Sequence, residues 1–270
     1  MAELDAAGAA GLRRASNYAV QVWAAADAEW RKLRHDPGEL LSRAIQPVLW
    51  LTLFGKVMAK VRGIGPEGRP YLDFIAPGIL AQSVLFVAIF YGISIIWERD
   101  LGVLHRYLVS PAPRSALVLG KALSSSVRGL SQAVVIYLCA ALMQVELSLR
   151  VTDILLTALF VCAASALFST FSLIIACIVR TRERFMGIGQ VLTMPIFFAS
   201  NAIYPIGLMP EWLQSVARVN PLTYGVDGLR SVMLRGGVSQ YGLLQDFSVL
   251  LLATAASVAV ASRIYPRMAQ

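Results

Sequence analysis

The chain has 270 residues, of which 57% are hydrophobic and 15% charged, with a mean hydropathy of +0.64. Soluble domains carry about 25% charged residues, so this composition is that of an integral membrane protein. The formal net charge of +8 could suggest a nucleic-acid partner, but the basic residues sort by side of a membrane, which excludes that reading.

Residues 1–12 are alanine-rich and carry Glu3 and Asp5 without a basic region or a long apolar run, so no cleavable signal peptide is expected before the first span. Next, Tyr18, Val22, Ala26, Trp30 and Leu33 form one apolar stripe, with Trp23 beside it and Arg31, Lys32 and Arg34 clustered at its end. A basic amphipathic helix with tryptophans lies in the membrane interface; a helix packed on protein is the alternative. Asp36-Pro37-Gly38 stops it. Residues 1–38 thus form a tail with an interfacial helix, and 39–270 a transmembrane domain.

A bilayer core of about 30 Å takes roughly 20 apolar residues per helix. Windows occur at 44–60, 74–97, 117–142, 153–179, 186–203 and 246–264, predicting six spans. The first carries Gln46, Pro47 and Lys56; a mid-membrane lysine costs about 2.5–3.5 kcal/mol, but Lys56 lies near the outer end and can snorkel. The fifth is short and contains Gln190, Pro195 and Asn201. With the amino terminus in the cytoplasm, 15 of the 24 Lys and Arg residues fall on the cytoplasmic side, so both termini are expected there, in the cytoplasmic (inner) membrane. Cys139, Cys162 and Cys177 sit inside apolar spans and read as packing residues, neither a disulfide set nor a metal site.

Between the second and third spans lies Trp97-Glu98-Arg99-Asp100-Leu101-Gly102-Val103-Leu104-His105-Arg106-Tyr107-Leu108-Val109-Ser110-Pro111, charged, helix-patterned and stopped by proline. Leu101, Leu104 and Leu108 share one helical face. A cytosolic helix held between two spans is a handle through which an external motor could move both. Glu98 occupies the wrong end of the helix macrodipole for a carboxylate and needs a cation. Arg99 does not share its face, so the expected partner comes from another segment, the amino-terminal helix.

Small residues mark helix contacts at Ser124, Ser125 and Ser126, at Ser165 and Ser169, and at Ala253, Ser257 and Ala261. Arg180-Thr181-Arg182-Glu183-Arg184 makes a tight basic turn between the fourth and fifth spans. Beyond the fifth span, Trp212, Leu213, Val216 and Val219 form one stripe after Met209-Pro210-Glu211. Asn220-Pro221 then supplies an N-cap and a first-turn proline for a second helix with Leu222, Val226, Leu229 and Met233 on its apolar face. Two such helices either dip into the membrane or lid a pathway; the alternative is a surface loop, which would leave many apolar residues in water.

No catalytic constellation is present. His35 and His105 lie among basic residues without a ligand set, and Gly55-Lys56-Val57 and Gly120-Lys121-Ala122 lack the remainder of a P-loop. Asp73, Glu98, Asp153 and Asp246 stand at span edges, which disfavours an ion relay. The chain reads as a transport subunit that is not an enzyme and binds no cofactor of its own.

Taken together, Glu98-Arg99 with Gly102, Leu108-Val109-Ser110-Pro111, Leu119-Gly120-Lys121, the run Tyr204-Pro205-Ile206-Gly207-Leu208-Met209-Pro210-Glu211-Trp212-Leu213, and Asn220-Pro221-Leu222-Thr223-Tyr224 with Asp227 and Arg230 resemble the membrane subunits of type-2 ABC exporters, in particular the daunorubicin/doxorubicin-resistance permeases. Trp30-Arg31-Lys32-Leu33-Arg34, Asp36-Pro37 and Gln46-Pro47 extend the resemblance to the first span. It implies an all-α membrane fold of six transmembrane helices with an amino-terminal interfacial helix, a cytoplasmic coupling helix (98–116) and outer re-entrant helices (204–233). Two permease subunits, the same chain or a sister, would face one another, with ATP and Mg bound on two separate cytoplasmic ATPase subunits.

Trp30, Arg31, Glu98, Arg99, Leu101, Gly102, Leu104, Arg106, Leu108 and Pro111 are then the ATPase-coupling residues, and Tyr204, Pro205, Pro210, Trp212, Asn220 and Pro221 the outer gate. Val103 stands where family members often have Thr or Ser. The implied function is outward movement of an amphipathic drug-like or lipid-like substrate. Export of a lipid-linked glycan and an ATP-independent secondary carrier are the alternatives.

Overall fold

A computed structural model describes residues 37–60, 70–102, 114–179 and 181–265, together with positions 20, 24, 27 and 31, all four of them helical. The described residues are mostly helical and contain no strand, with one isolated antiparallel bridge, Leu147 to Leu234. In chain order the helices are α1 (Pro37–Leu49), α2 (Gly55–Met58), α3 (Tyr71–Asp100), α4 (Arg114–Leu142), α5 (Val151–Ile178), α6 (Arg182–Phe198), α7 (Glu211–Val219), α8 (Pro221–Met233) and α9 (Leu243–Ile264).

Four helices are long and apolar enough to cross a membrane: Tyr71–Asp100, Leu117–Leu142, Val151–Ile178 and Leu243–Ile264. They coincide with the predicted second, third, fourth and sixth spans. The other two windows differ from expectation. The first is two helices joined through a π turn, Trp50–Phe54, just beyond Pro47, which has no N–H for the helical ladder. The fifth ends at Phe198, so 199–203 are not helical. Pro195 weakens that last turn, and Asn201 lies beyond the helix, buried.

Seventy-eight per cent of the apolar window of α3 is buried within the chain, against 11% for α9, so α3 is the axis of the bundle and α9 an outer stave. Ile75, Ile79, Leu80, Leu85 and Ile89 of α3 meet Phe160, Val161 and Leu167 of α5 and the face of α8 in one core. A second cluster gathers Ile95, Ile96, Leu173, Phe185 and Tyr265 toward the other end of α3. Lipid is as apolar as these side chains, so close packing rather than transfer from water holds such helices together. Gly228 illustrates the consequence: a Cβ there would collide with the Phe160 ring.

Two of the three predicted small-residue faces pack. Ser124, Ser125, Ser126, Ser165 and Ser169 are buried, and Gly129 leaves room for Ser165; of the third set only Ala261 is buried. Polar side chains add ties between helices: Tyr137 to Thr157 at 2.9 Å, Ser126 to the Cys162 carbonyl at 3.2 Å, and the Ser172 hydroxyl to the Ile89 carbonyl. The three cysteines are free and partly buried, as their apolar surroundings in the sequence predict.

Candidate functional site

At the expected cytosolic end, α3 finishes on Glu98, Arg99 and Asp100, and the chain turns at Gly102. Gly102 has φ +70°, the left-handed conformation in which glycine ends helices, and its N–H reaches the Arg99 carbonyl at 2.9 Å. Leu101 is 70% exposed, so the start of the handle stands clear of the bundle.

The cation that Glu98 requires is Lys121 of α4, whose ammonium donates to the carboxylate. This corrects the expectation of a partner on the amino-terminal helix: the packing of α4 on α3 brings the two groups together, with side chains only 20% and 19% exposed. Asp100 makes a second clamp. It accepts from Arg99 at 3.1 Å and from Arg182, the first residue of α6, at 2.9 Å, and the Arg182 guanidinium also lies 3.5 Å from the Trp97 ring centroid. Three helices are therefore cross-linked by charge where the coupling segment leaves α3.

Arg31 is helical and pairs with Asp27 at 2.6 Å one turn earlier. Trp30, Leu104, Arg106, Leu108 and Pro111 lie outside the described residues.

At the opposite end, Asn220 joins two helices. Its carbonyl oxygen accepts from the Leu222 N–H at 3.0 Å, capping α8, while its amide donates to the Ile196 and Ala199 carbonyls at 2.7 and 3.2 Å. Both the α8 start and the α6 end are satisfied by one side chain. Pro221 follows at the first helical position, as expected. Leu222, Val226, Leu229 and Met233 are all buried. The Tyr204 hydroxyl donates to the Phe198 carbonyl at 2.6 Å, Pro205 precedes a short 3-10 turn, and Pro210 occupies the position just before α7.

Trp212, Val216 and Val219 face outward, 69%, 48% and 83% exposed. The stripe on α7 is thus real, but no described residue covers it.

Arg230 of α8, outside the six predicted windows, is half-buried, an arrangement those windows do not announce. Its guanidinium donates to the Asn201 carbonyl at 2.7 Å and to the Phe74 carbonyl at 3.4 Å, and lies 3.9 Å from the Phe74 ring centroid. Burial lowers it to about 10, so it keeps its charge at neutral pH. A signal was present: Arg230 continues the Leu222, Val226 spacing of four onto the buried face of α8. Asp227 is fully buried and accepts from the Gln240 and Tyr241 N–H groups at 2.7 and 3.2 Å, and Ser239 reaches both Asp227 and Asp246. These contacts fasten the α8–α9 loop. Met233 and Arg235 pair with Ser148 and Glu146 of the α4–α5 loop, sealing the same end.

Between α1, α3 and α6 is a cavity of about 510 Å³, its lining including Gln46, Gln82, Ser83, Phe86, Phe90 and Gln190. The size suits a drug-sized molecule. The coupling clamp and the outer helices are attached to α3 and α6, two of its three walls.

Comparison with known proteins accords with this architecture. Residues 20–234 match the family model of the ABC-2 type transporter. A putative transport permease, ycf38, of Cyanophora paradoxa is 30% identical over 201 residues, 74% of this chain and 69% of that protein. The inner membrane transport permease YadH of Escherichia coli K12 is 24% identical over 239 residues, 85% and 90% of the two chains. The daunorubicin resistance ABC transporter permease protein DrrB1 of Streptomyces coeruleorubidus is 24% identical over 219 residues, 76% and 72%. Apolar helices long enough to span a bilayer, the polar clamps at their two ends and the match over most of the chain lead to one conclusion: this is a multi-pass membrane transport permease that belongs to the ABC-2 type transporter family.

Proposed function

We propose that the chain is the membrane subunit of an ATP-driven exporter, in which two cytoplasmic ATPase subunits bind ATP and Mg and push on residues 98–116. The observation that carries this reading is the pair of clamps Glu98–Lys121 and Asp100–Arg182. A load applied at Leu101 reaches α3, α4 and α6 together, and two of these wall the cavity between α1, α3 and α6. The α1–α2 segment and α6 serve as the first and fifth of six spans, with both termini on the cytosolic side. A second permease subunit completes the transport path and covers the exposed stripe of α7. The substrate is an amphiphile that enters the cavity from the bilayer and leaves past residues 204–233.

The test is reconstitution of the chain with a co-expressed ABC ATPase in proteoliposomes loaded with fluorescent amphiphiles. ATP-dependent movement that needs both proteins supports the assignment; equal movement by this chain without the ATPase supports a carrier instead.

A further inference from the structure

Gln82 is in the middle of α3, 3% exposed, and neither its amide nitrogen nor its amide oxygen has a hydrogen-bond partner. A buried amide without partners carries an uncompensated desolvation cost, and side chains left in that condition call for a ligand or water. It shares a face of α3 with Phe86 and Phe90 at spacings of four, and all three line the cavity between α1, α3 and α6. The opposing walls contribute two further primary amides, Gln46 from α1 and Gln190 from α6, both solvent-facing in the isolated chain. Ser83 beside Gln82 spends its proton on the Ile79 carbonyl at 2.7 Å, leaving its oxygen able to accept only.

What the cavity lacks is equally informative. Its described lining holds no Asp, Glu, Lys, Arg or His. The charged groups of α3 and α6 lie toward the helix ends: Asp73 near the start of α3, Glu98, Arg99 and Asp100 at its close, and Arg182, Glu183 and Arg184 in the first turn of α6. Among the described residues, a formal charge entering at the level of Gln82 would find dipoles and aromatic rings but no counter-ion. A neutral head group bearing both donors and acceptors would satisfy the orphaned amide and leave no charge desolvated.

We propose that the cavity selects amphiphiles with an uncharged, hydrogen-bonding head group, of amide or polyol character, and that Gln82 is the residue that reads the head group while Phe86 and Phe90 take the apolar part. This rests on the reading of the cavity as the transport site. It narrows the substrate class from amphiphiles in general to neutral ones, and it sets cationic drug-like molecules apart as poor ligands for this chain. Primary amides can reorient to donate or accept, so the site recognises polarity and pattern rather than one compound.

The experiment uses the full chain in lipid nanodiscs and three photo-reactive probes that share one octyl-diazirine tail. Their head groups are glucamide, trimethylammonium and carboxylate. Labelling is mapped by mass spectrometry to residues 82–90 and 186–194. The glucamide probe is expected to label these segments at least tenfold better than either charged probe. Gln82→Leu is expected to lower glucamide labelling about tenfold, the equivalent of about 1.4 kcal/mol, without lowering the melting temperature, since the amide it removes has no protein partner. Gln82→Glu is expected to raise trimethylammonium labelling above that of the glucamide. Equal labelling by all three probes, or a Gln82→Leu chain that labels like the parent, overturns the head-group rule and leaves the transport-site reading standing. Absence of labelling by every probe in both segments overturns both.

Discussion

The Glu98 carboxylate at the end of α3 accepts a hydrogen bond from the Lys121 ammonium of α4, 23 residues away in sequence. A carboxylate at a helix C-terminus opposes the macrodipole, so the pair supplies what the helix cannot. Both side chains are largely buried, and breaking such a pair leaves a charge uncompensated. Glu98→Gln and Lys121→Met are each expected to cost about 1–3 kcal/mol, and the double variant less than their sum. A double-mutant cycle on thermal unfolding in detergent measures the difference; strictly additive effects would show that the two residues do not act as a pair.

Gly102 holds φ +70° at the end of α3, and no described residue beyond its chain neighbours lies within 4 Å of where a Cβ would stand. Its constraint is therefore backbone conformation alone. Gly102→Ala is expected to cost about 1 kcal/mol and Gly102→Asn less, because Asn tolerates this position. Hydrogen exchange at the Leu101 and Gly102 amides, both bonded to carbonyls of the last turn, reports the fraying directly. Equal exchange in all three chains contradicts the assignment.

Asn220 serves two helices at once, accepting from Leu222 and donating to Ile196 and Ala199. Asn220→Ala is expected to cost about 2–3 kcal/mol, the sum of a lost cap and orphaned carbonyls. Asn220→Asp separates the roles: it keeps the cap but cannot donate, and it places a negative charge beside two carbonyl oxygens. The aspartate variant is expected to melt no higher than the alanine variant. Full recovery by Asp would assign the whole effect to the cap of α8.

The outer segment divides cleanly by exposure. Leu222 is fully buried, while Val219 is 83% exposed. A cysteine at 222 is expected to resist a membrane-impermeant thiol reagent. A cysteine at 219 is expected to react in the isolated chain and to be protected once a second permease subunit is present, changing its rate several-fold during ATP turnover. Constant full labelling at both positions would make 204–233 a plain exposed loop.

The four long helices were legible because unbroken apolar runs of this length have one outcome in a bilayer. Asn220-Pro221 was legible because cap chemistry is local. The Glu98 partner was not, since the sequence shows the need for a cation but only the packing of α4 on α3 decides which one answers. At the end of α6, Pro195 was visible in the sequence, but the side chain that takes up the freed Ile196 and Ala199 carbonyls, Asn220, comes from another segment. Gln82 and Arg230 were obscured for a related reason: a polar residue in an apolar pattern reads as an interruption until its partners, or their absence, are seen in three dimensions.

In the proposed mechanism, residues 98–116 carry force from an ATPase into α3, α4 and α6. Leu104 belongs to the apolar face that the sequence assigns to the motor contact. The decisive measurement is the number of amphiphile molecules moved per ATP hydrolysed in proteoliposomes containing the chain with Leu104→Asp and its co-expressed ATPase. Insertion and ATP hydrolysis are expected to persist while transport per ATP falls at least tenfold. An unchanged ratio would contradict the proposed mechanism.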